Sequence, residues 1–360
     1  MNAHWKQRPE GGGRFAIGLI RAIGSYGGRA LARLLLYPIV LYFLLRRAPE
    51  RAASRQWLDA ALGRPATAWD VARHIHTFAS TILDRVFLLS DSPERMTRRF
   101  AVDVSGLDAL HAQLDSGRGL LLFGSHLGSF EVLRVLARKR PEYTIRVVLD
   151  KAHNAAITQT LDALNPEVAA TVIDAGQDGP ALMLAIQQAV QDGALVALLV
   201  DRVQPGAQSV PVPFFGRDAR FPTAPWMIAA ALKAPVVLAF GLYRGGNRYA
   251  LHFEQFSDAI DAPRARRAAV IAEHIQRYVA RLEAAARSAP YNWFNFYDFW
   301  QHDDPTHALS SPDPAPQPGP RARDADVPVR DTAVHDAGGR DDCIHDDRIH
   351  DSSRRTGAGH

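Results

Sequence analysis

Residues 119–131 read GLLLFGSHLGSFE, and the fold follows from how this stretch is read. Gly119–Phe123 is a short, uncharged apolar run, the signature of a strand covered on both faces. Gly124 and Ser125 make its exit, and His126 follows at the carboxyl end, where open α/β sheets hold their ligands. Gly128 allows a tight backbone path, and a helix is expected from about Ser129. Strand, turn and helix in that order predict an α/β unit.

The same alternation continues outward. Ile145–Leu149, Ala170–Ile173 and Leu195–Val200 read as further strands, with helices over Ala155–Leu164 and Pro180–Val190 between them. Residues 221–232 and 263–287 read as helices. Val236–Leu242 and Tyr249–Phe253 form a hairpin across Arg244–Asn247. Upstream, Val71, Ile75, Phe78, Ile82 and Val86 recur at helical spacing within a helical region, 56–100. The fold class expected is α/β, with a mixed, largely parallel central sheet flanked by helices.

Both ends differ from this body. Residues 1–55 carry ten Lys and Arg against Glu10 and Glu50, and include the uncharged run Leu34–Leu45, LLLYPIVLYFLL. A spanning helix needs about 20 apolar residues, and Pro38 would kink one. An N-terminal membrane-associated helix is therefore expected within residues 28–47, interfacial or re-entrant in preference to the alternatives of a true span or a buried core helix. Arginines interrupt the N-terminus, so it lacks the layout of a signal peptide. Residues 301–360 hold twelve Asp, seven Arg and six His, with neither Lys nor Glu. With few large apolar side chains, residues 303–360 are expected to form a disordered C-terminal tail. The organisation is then 1–55 anchor, 56–302 catalytic domain and 303–360 tail. The single cysteine, Cys343, excludes a disulfide framework and a thiol nucleophile in the body. No basic–aromatic motif for nucleic acid is present there.

His126 and Glu131 are the candidate catalytic pair. Glu131, five residues on, is placed to reach one imidazole nitrogen, leaving the other to take a proton. Ser125 and Ser129 lie close by, but neither stands in a G-x-S-x-G elbow. One His and one Glu do not complete a tetrahedral metal set, so no metal site is expected.

GRGLLLFGSHLGSFEVLR, residues 117–134, resembles the H-x4-(D/E) block of bacterial lipid A biosynthesis acyltransferases, the late or secondary enzymes of the lysophospholipid acyltransferase-like group. LLVDRVQPGAQSVPVPFFGRDARFPTAP, residues 198–225, supports this: Asp201, Val212–Gly216 and Thr223 match the family layout. PYNWFNFYDFW, residues 290–300, fits its last block, and its aromatic residues read either as core or as lining of an acyl groove. The resemblance implies transfer of an acyl chain from an acyl carrier protein thioester to a hydroxyl of a lipid A precursor or related glycolipid. It implies His126 as base and Glu131 orienting it, no metal or redox cofactor, and a place at the cytoplasmic face of a bacterial inner membrane. Asp201 maps onto an important family Asp. In place of the family's Arg-Pro, residues 147–154 read VVLDKAHN, with Lys151 supplying the charge and Asn154 retained. Arg202, Arg217 and Thr223 complete the expected substrate-binding set. The alternatives are an acyl-CoA-dependent lysophospholipid acyltransferase and a non-catalytic lipid-binding homologue.

Overall fold

The computed structural model describes residues 29–133, 143–151, 171–204 and 206–300. The helix expected over Ala155–Leu164, the candidate Asn154 and the tail 303–360 lie outside these residues.

The chain enters through helical residues 29–34, a turn at Leu35 and helix α1 (Leu36–Arg46). Pro38 explains the interruption, because it has no N–H to offer the Leu34 carbonyl one turn back. Ala32, Leu36 and Val40 face inward, whereas Leu31, Leu34, Tyr37, Leu41, Tyr42 and Leu45 are exposed. The segment is tied to the body by Arg29. Its Nε–H donates to Asp84 Oδ1 (2.6 Å), while Tyr249 donates to Oδ2 of the same carboxylate (2.8 Å). No helix among the described residues is long and apolar enough to cross a membrane.

Helices α2 (Ala48–Leu62), α3 (Ala68–Ser90) and α4 (Pro93–Arg99) follow, so the helical region expected over 56–100 is broken into three. Gly63, in the left-handed region, ends α2. Thr67 opens α3 through a reciprocal capping box with Asp70. The boundary expected after residue 55 falls inside α2.

Among the described residues the strands are β1 (Ala101–Ser105), β2 (Leu120–Gly124), β3 (Ile145–Leu149), β4 (Val172–Asp174), β5 (Leu195–Leu199), β6 (Ser209–Phe214), β7 (Arg217–Pro222), β8 (Val236–Gly245) and β9 (Arg248–Ser257). Seven form one sheet in the order β1-β9-β8-β2-β5-β3-β4. The β8–β9 pair is antiparallel and every other pair is parallel. Side chains alternate between two cores. Leu121 and Phe123 of β2, Val196 and Leu198 of β5, and Leu238 and Phe240 of β8 enter one. Leu120 and Leu122, Leu195 and Ala197, and Val237 and Ala239 enter the other. That period of two, with both faces apolar, is why these strands read as unbroken hydrophobic runs. The mixed, largely parallel sheet flanked by helices is the expected architecture.

One element is added to those expected and one boundary is corrected. Residues 209–222 form a separate antiparallel hairpin, β6–β7, and the helix expected from 221 begins at Ala224. Pro211 and Pro213 argue against a strand in the sequence, but in a two-stranded ribbon their missing donors sit on an unpaired edge. The hairpin turns at Phe215 and Gly216, both with positive φ (53° and 72°). The strain at Phe215 is offset by its N–H donating to Glu283 Oε2 (2.7 Å) and by its ring meeting Trp57 edge-on at 5.0 Å.

Candidate active site

Strands β2 and β5 are neighbours, and Gly124 stands opposite Leu199 in their register. Two residues further along each parallel strand come His126 and Asp201. Equal steps past a paired position bring them together at the carboxyl end of the sheet, although 75 residues separate them in sequence. The Asp201 carboxylate grips His126 twice. Oδ1 accepts from the ring Nδ1–H (2.8 Å) and Oδ2 accepts from the backbone N–H (3.0 Å). A buried carboxylate at Nδ1 fixes the tautomer, so Nε2 carries the lone pair. Nε2 has no hydrogen-bond partner among the described residues, and the His126 side chain keeps 29% of its surface exposed. Asp201 is fully buried.

Burial pushes the His126 imidazole below its ordinary pKa, the Arg202 guanidinium acts in the same direction, and Asp201 opposes both. Burial works to raise the Asp201 carboxyl, but attraction to His126 prevails and holds it below the usual range. At neutral pH the pair is thus a neutral imidazole backed by a carboxylate, ready to accept a proton at Nε2.

Glu131 does not orient the ring, contrary to the expectation from its spacing. Gly128 takes φ +80° and Ser129 N–H donates to Gly241 O (2.7 Å), which docks the turn against β8. A Cβ on Gly128 would run into the Gly241 carbonyl. The chain then forms a 3-10 turn, Phe130–Leu133, rather than an α-helix over these residues. From there the Glu131 carboxylate pairs with Arg85 Nε of α3 (2.6 Å) and accepts from Ser129 Oγ (3.0 Å). Arg85 in turn depresses the His126 pKa, so Glu131 acts on the ring at one remove.

The remaining candidates divide. Arg202 lies beside the dyad: its Nε–H donates to Asn295 Oδ1 (2.6 Å), its Nη2–H donates to Phe294 O (3.1 Å), and it faces the Tyr297 ring at 5.8 Å. Lys151 closes β3 on the same rim of the sheet, its backbone N–H donating to Asp174 (3.2 Å). Arg217 lies over the Trp300 ring at 4.5 Å, on the β6–β7 hairpin. Thr223 binds Gln208 O through its backbone N–H (3.1 Å) and hydroxyl (3.3 Å) and opens the next helix. Neither Arg217 nor Thr223 contacts the dyad. Two residues that the sequence reading overlooked, Arg85 and Asn295, belong to this neighbourhood. The only cue in the sequence was a polar Asn amid aromatic residues at 295.

The final aromatic block packs inward. Trp293 is fully buried and stacks on Trp57 (5.4 Å), and Trp300 is 6% exposed.

The family model described as bacterial lipid A biosynthesis acyltransferase matches residues 29–302. The chain belongs to that family. It is therefore an acyltransferase of lipid A biosynthesis type, and the His126–Asp201 pair lies within the matched residues. No curated protein matches its sequence.

Proposed function

We propose that this acyltransferase moves a fatty acyl chain from an acyl carrier protein thioester to a hydroxyl of a lipid A precursor or related glycolipid, with His126 as general base and Asp201 orienting it. The observation that carries this reading is the double grip of Asp201 on His126, which leaves Nε2 as the available proton acceptor. Nε2 takes the acceptor hydroxyl's proton as the oxygen attacks the thioester carbonyl. The tetrahedral intermediate collapses, the C–S bond breaks, and the imidazolium returns its proton to the departing thiolate. Asp201 stabilises the imidazolium in between. The test is mass spectrometry of the glycolipid after incubation with acyl carrier protein thioester and purified enzyme. A gain of one acyl chain is expected with wild type and none with His126→Ala. Transfer by His126→Ala at the wild-type rate overturns the base. Transfer from acyl-CoA but not from the carrier thioester overturns the donor.

The exposed face Leu31, Leu34, Tyr37, Leu41, Tyr42 and Leu45, bordered by Arg46 and Arg47, fits the cytoplasmic surface of an anionic inner membrane. Helix α1 has eleven residues, about 17 Å at 1.5 Å per residue, against roughly 30 Å of hydrocarbon. This length supports a place on the surface over a crossing. The double variant Leu41→Glu/Leu45→Glu is expected to lower binding to anionic vesicles by at least about tenfold. Unchanged flotation overturns this placement.

A further inference from the structure

The residues Asn292–Asn295 take no part in the chemistry above, yet both halves of the site are attached to them. Gly128 N–H donates to Asn292 O (2.8 Å) and Phe294 N–H donates to His126 O (2.9 Å). Leu127 and Trp293 form an antiparallel bridge between these bonds. The same segment receives Arg202, whose Nε–H and Nη2–H bind Asn295 Oδ1 and Phe294 O. Asn292 anchors the segment to β8: Tyr243 N–H donates to its Oδ1 (2.7 Å), and its Nδ2 donates back to Tyr243 O (3.2 Å).

Asn295 is 1% exposed, and its Nδ2 has no hydrogen-bond partner among the described residues. A buried donor without an acceptor is unfavourable. Turning the amide over gives no relief, because the NH2 group would then meet the Arg202 Nε–H, donor against donor. The side chain is held in this orientation by its service to Arg202.

We propose that Asn295 is a positioning residue for acyl transfer: through Oδ1 it fixes the Arg202 guanidinium beside the His126–Asp201 pair, so that a set positive charge faces the carbonyl oxygen as it becomes an oxyanion. The proposal rests on His126 being the base. A guanidinium held at two points needs no reorganisation when charge develops, and this is the condition under which such a group lowers a barrier most. Lysine cannot replace it, because a single ammonium lacks the planar fork that reaches Asn295 Oδ1 and Phe294 O together.

The charged groups acting on His126 are Asp201, Arg202 and Arg85, the last paired with Glu131. The Tyr278 and Tyr297 phenols near Asp201 are both pushed up by burial and stay neutral. Releasing Arg202 removes one of the two cations that disfavour the imidazolium, so the acid limb of the pH–rate profile is expected to move to higher pH.

The experiment measures kcat, KM and the pH profile of carrier-to-glycolipid transfer for wild type, Asn295→Ala, Arg202→Ala and the double variant. Asn295→Ala is expected to lower kcat by about tenfold or more with little change in KM, and to move the acid limb upward. The double variant is expected to be no slower than Arg202→Ala alone. A wild-type kcat and pH profile per folded enzyme in Asn295→Ala, or losses that multiply in the double variant, overturn the proposal. Should Asn295→Ala fail to fold, Arg202→Lys replaces it: a fall in kcat with the same upward limb supports the proposal and a wild-type profile overturns it. His126→Ala in the same assay separates the two readings. Retained transfer there overturns the base, whereas lost transfer there beside an unmoved Asn295→Ala overturns the positioning role alone.

Discussion

His74 and His126 are attached to the two sides of one peptide group, the one that joins Trp293 to Phe294. His74 Nε2 donates to Trp293 O (2.7 Å), and the next residue's N–H, Phe294, donates to His126 O (2.9 Å). Burial lowers the pKa of both rings. Their partners differ. His74 is fully buried and spends both nitrogens on neutral groups, Ser54 Oγ at Nδ1 (2.8 Å) and the Trp293 carbonyl at Nε2. His126 has a carboxylate at Nδ1 and retains exposure on its side chain. Burial alone makes a histidine a neutral structural post. A carboxylate on one nitrogen with the other available equips it for the proposed role of base.

The sharpest way to break this comparison is to give His126 a neutral partner. Asp201→Asn keeps the shape but removes the charge that fixes the tautomer and stabilises the imidazolium. Transfer is expected to fall about 1,000-fold or more, while the thermal midpoint changes little. Steady-state kinetics within tenfold of wild type would erase the distinction between the two histidines.

A smaller effect is expected at Glu131. Glu131→Gln keeps an acceptor for Ser129 but leaves Arg85 without its counter-ion. The uncompensated cation disfavours the imidazolium, so the acid limb of the pH profile is expected to move to lower pH. Turnover falls by roughly tenfold to a hundredfold, because the group acts through Arg85 and not on the ring. A loss as large as that of Asp201→Asn would show that Glu131 reaches the reacting groups directly.

The two carboxylates also mark how much of the site was legible in sequence. The strand, the glycine exit and His126 at its end were readable because local apolar runs and glycine determine them. So were β3, β5 and the β8–β9 hairpin, whose apolar periods match the observed strands closely. The partner of His126 was not readable. Five residues separate Glu131 from His126 and seventy-five separate Asp201, so spacing favoured the wrong carboxylate. Only the strand order, with β5 beside β2, brings Asp201 in, and that order is set by packing across the whole sheet. Asn295 was hidden for the same reason. The β6–β7 hairpin was masked by its own prolines, which signal a loop unless the edge they occupy is known to be unpaired.

The last and smallest test concerns His74 alone, through the dependence of stability on pH. Its pKa is lowered by burial from 6.5 to about 4 in the folded protein. The folded state therefore favours the neutral ring, and below pH 6.5 the unfolded chain binds a proton that the folded chain does not. Stability from this group is fully present above 6.5, falls as the pH drops from 6.5 to about 4, and changes no further below that. Complete protonation across that window costs a few kcal/mol by linkage. His126 has the same sign, so both histidines add to the slope. In His74→Gln, which can keep hydrogen bonds to Ser54 and Trp293 but cannot titrate, the drop in thermal midpoint between pH 7 and pH 4 is expected to be smaller than in wild type. His126→Gln gives a smaller relief, because Asp201 works against the lowering of His126. Equal drops in wild type and His74→Gln would mean that His74 is protonated in the folded core. The contrast between the two histidines would then rest on access at Nε2 and the carboxylate at Nδ1, with burial playing no part.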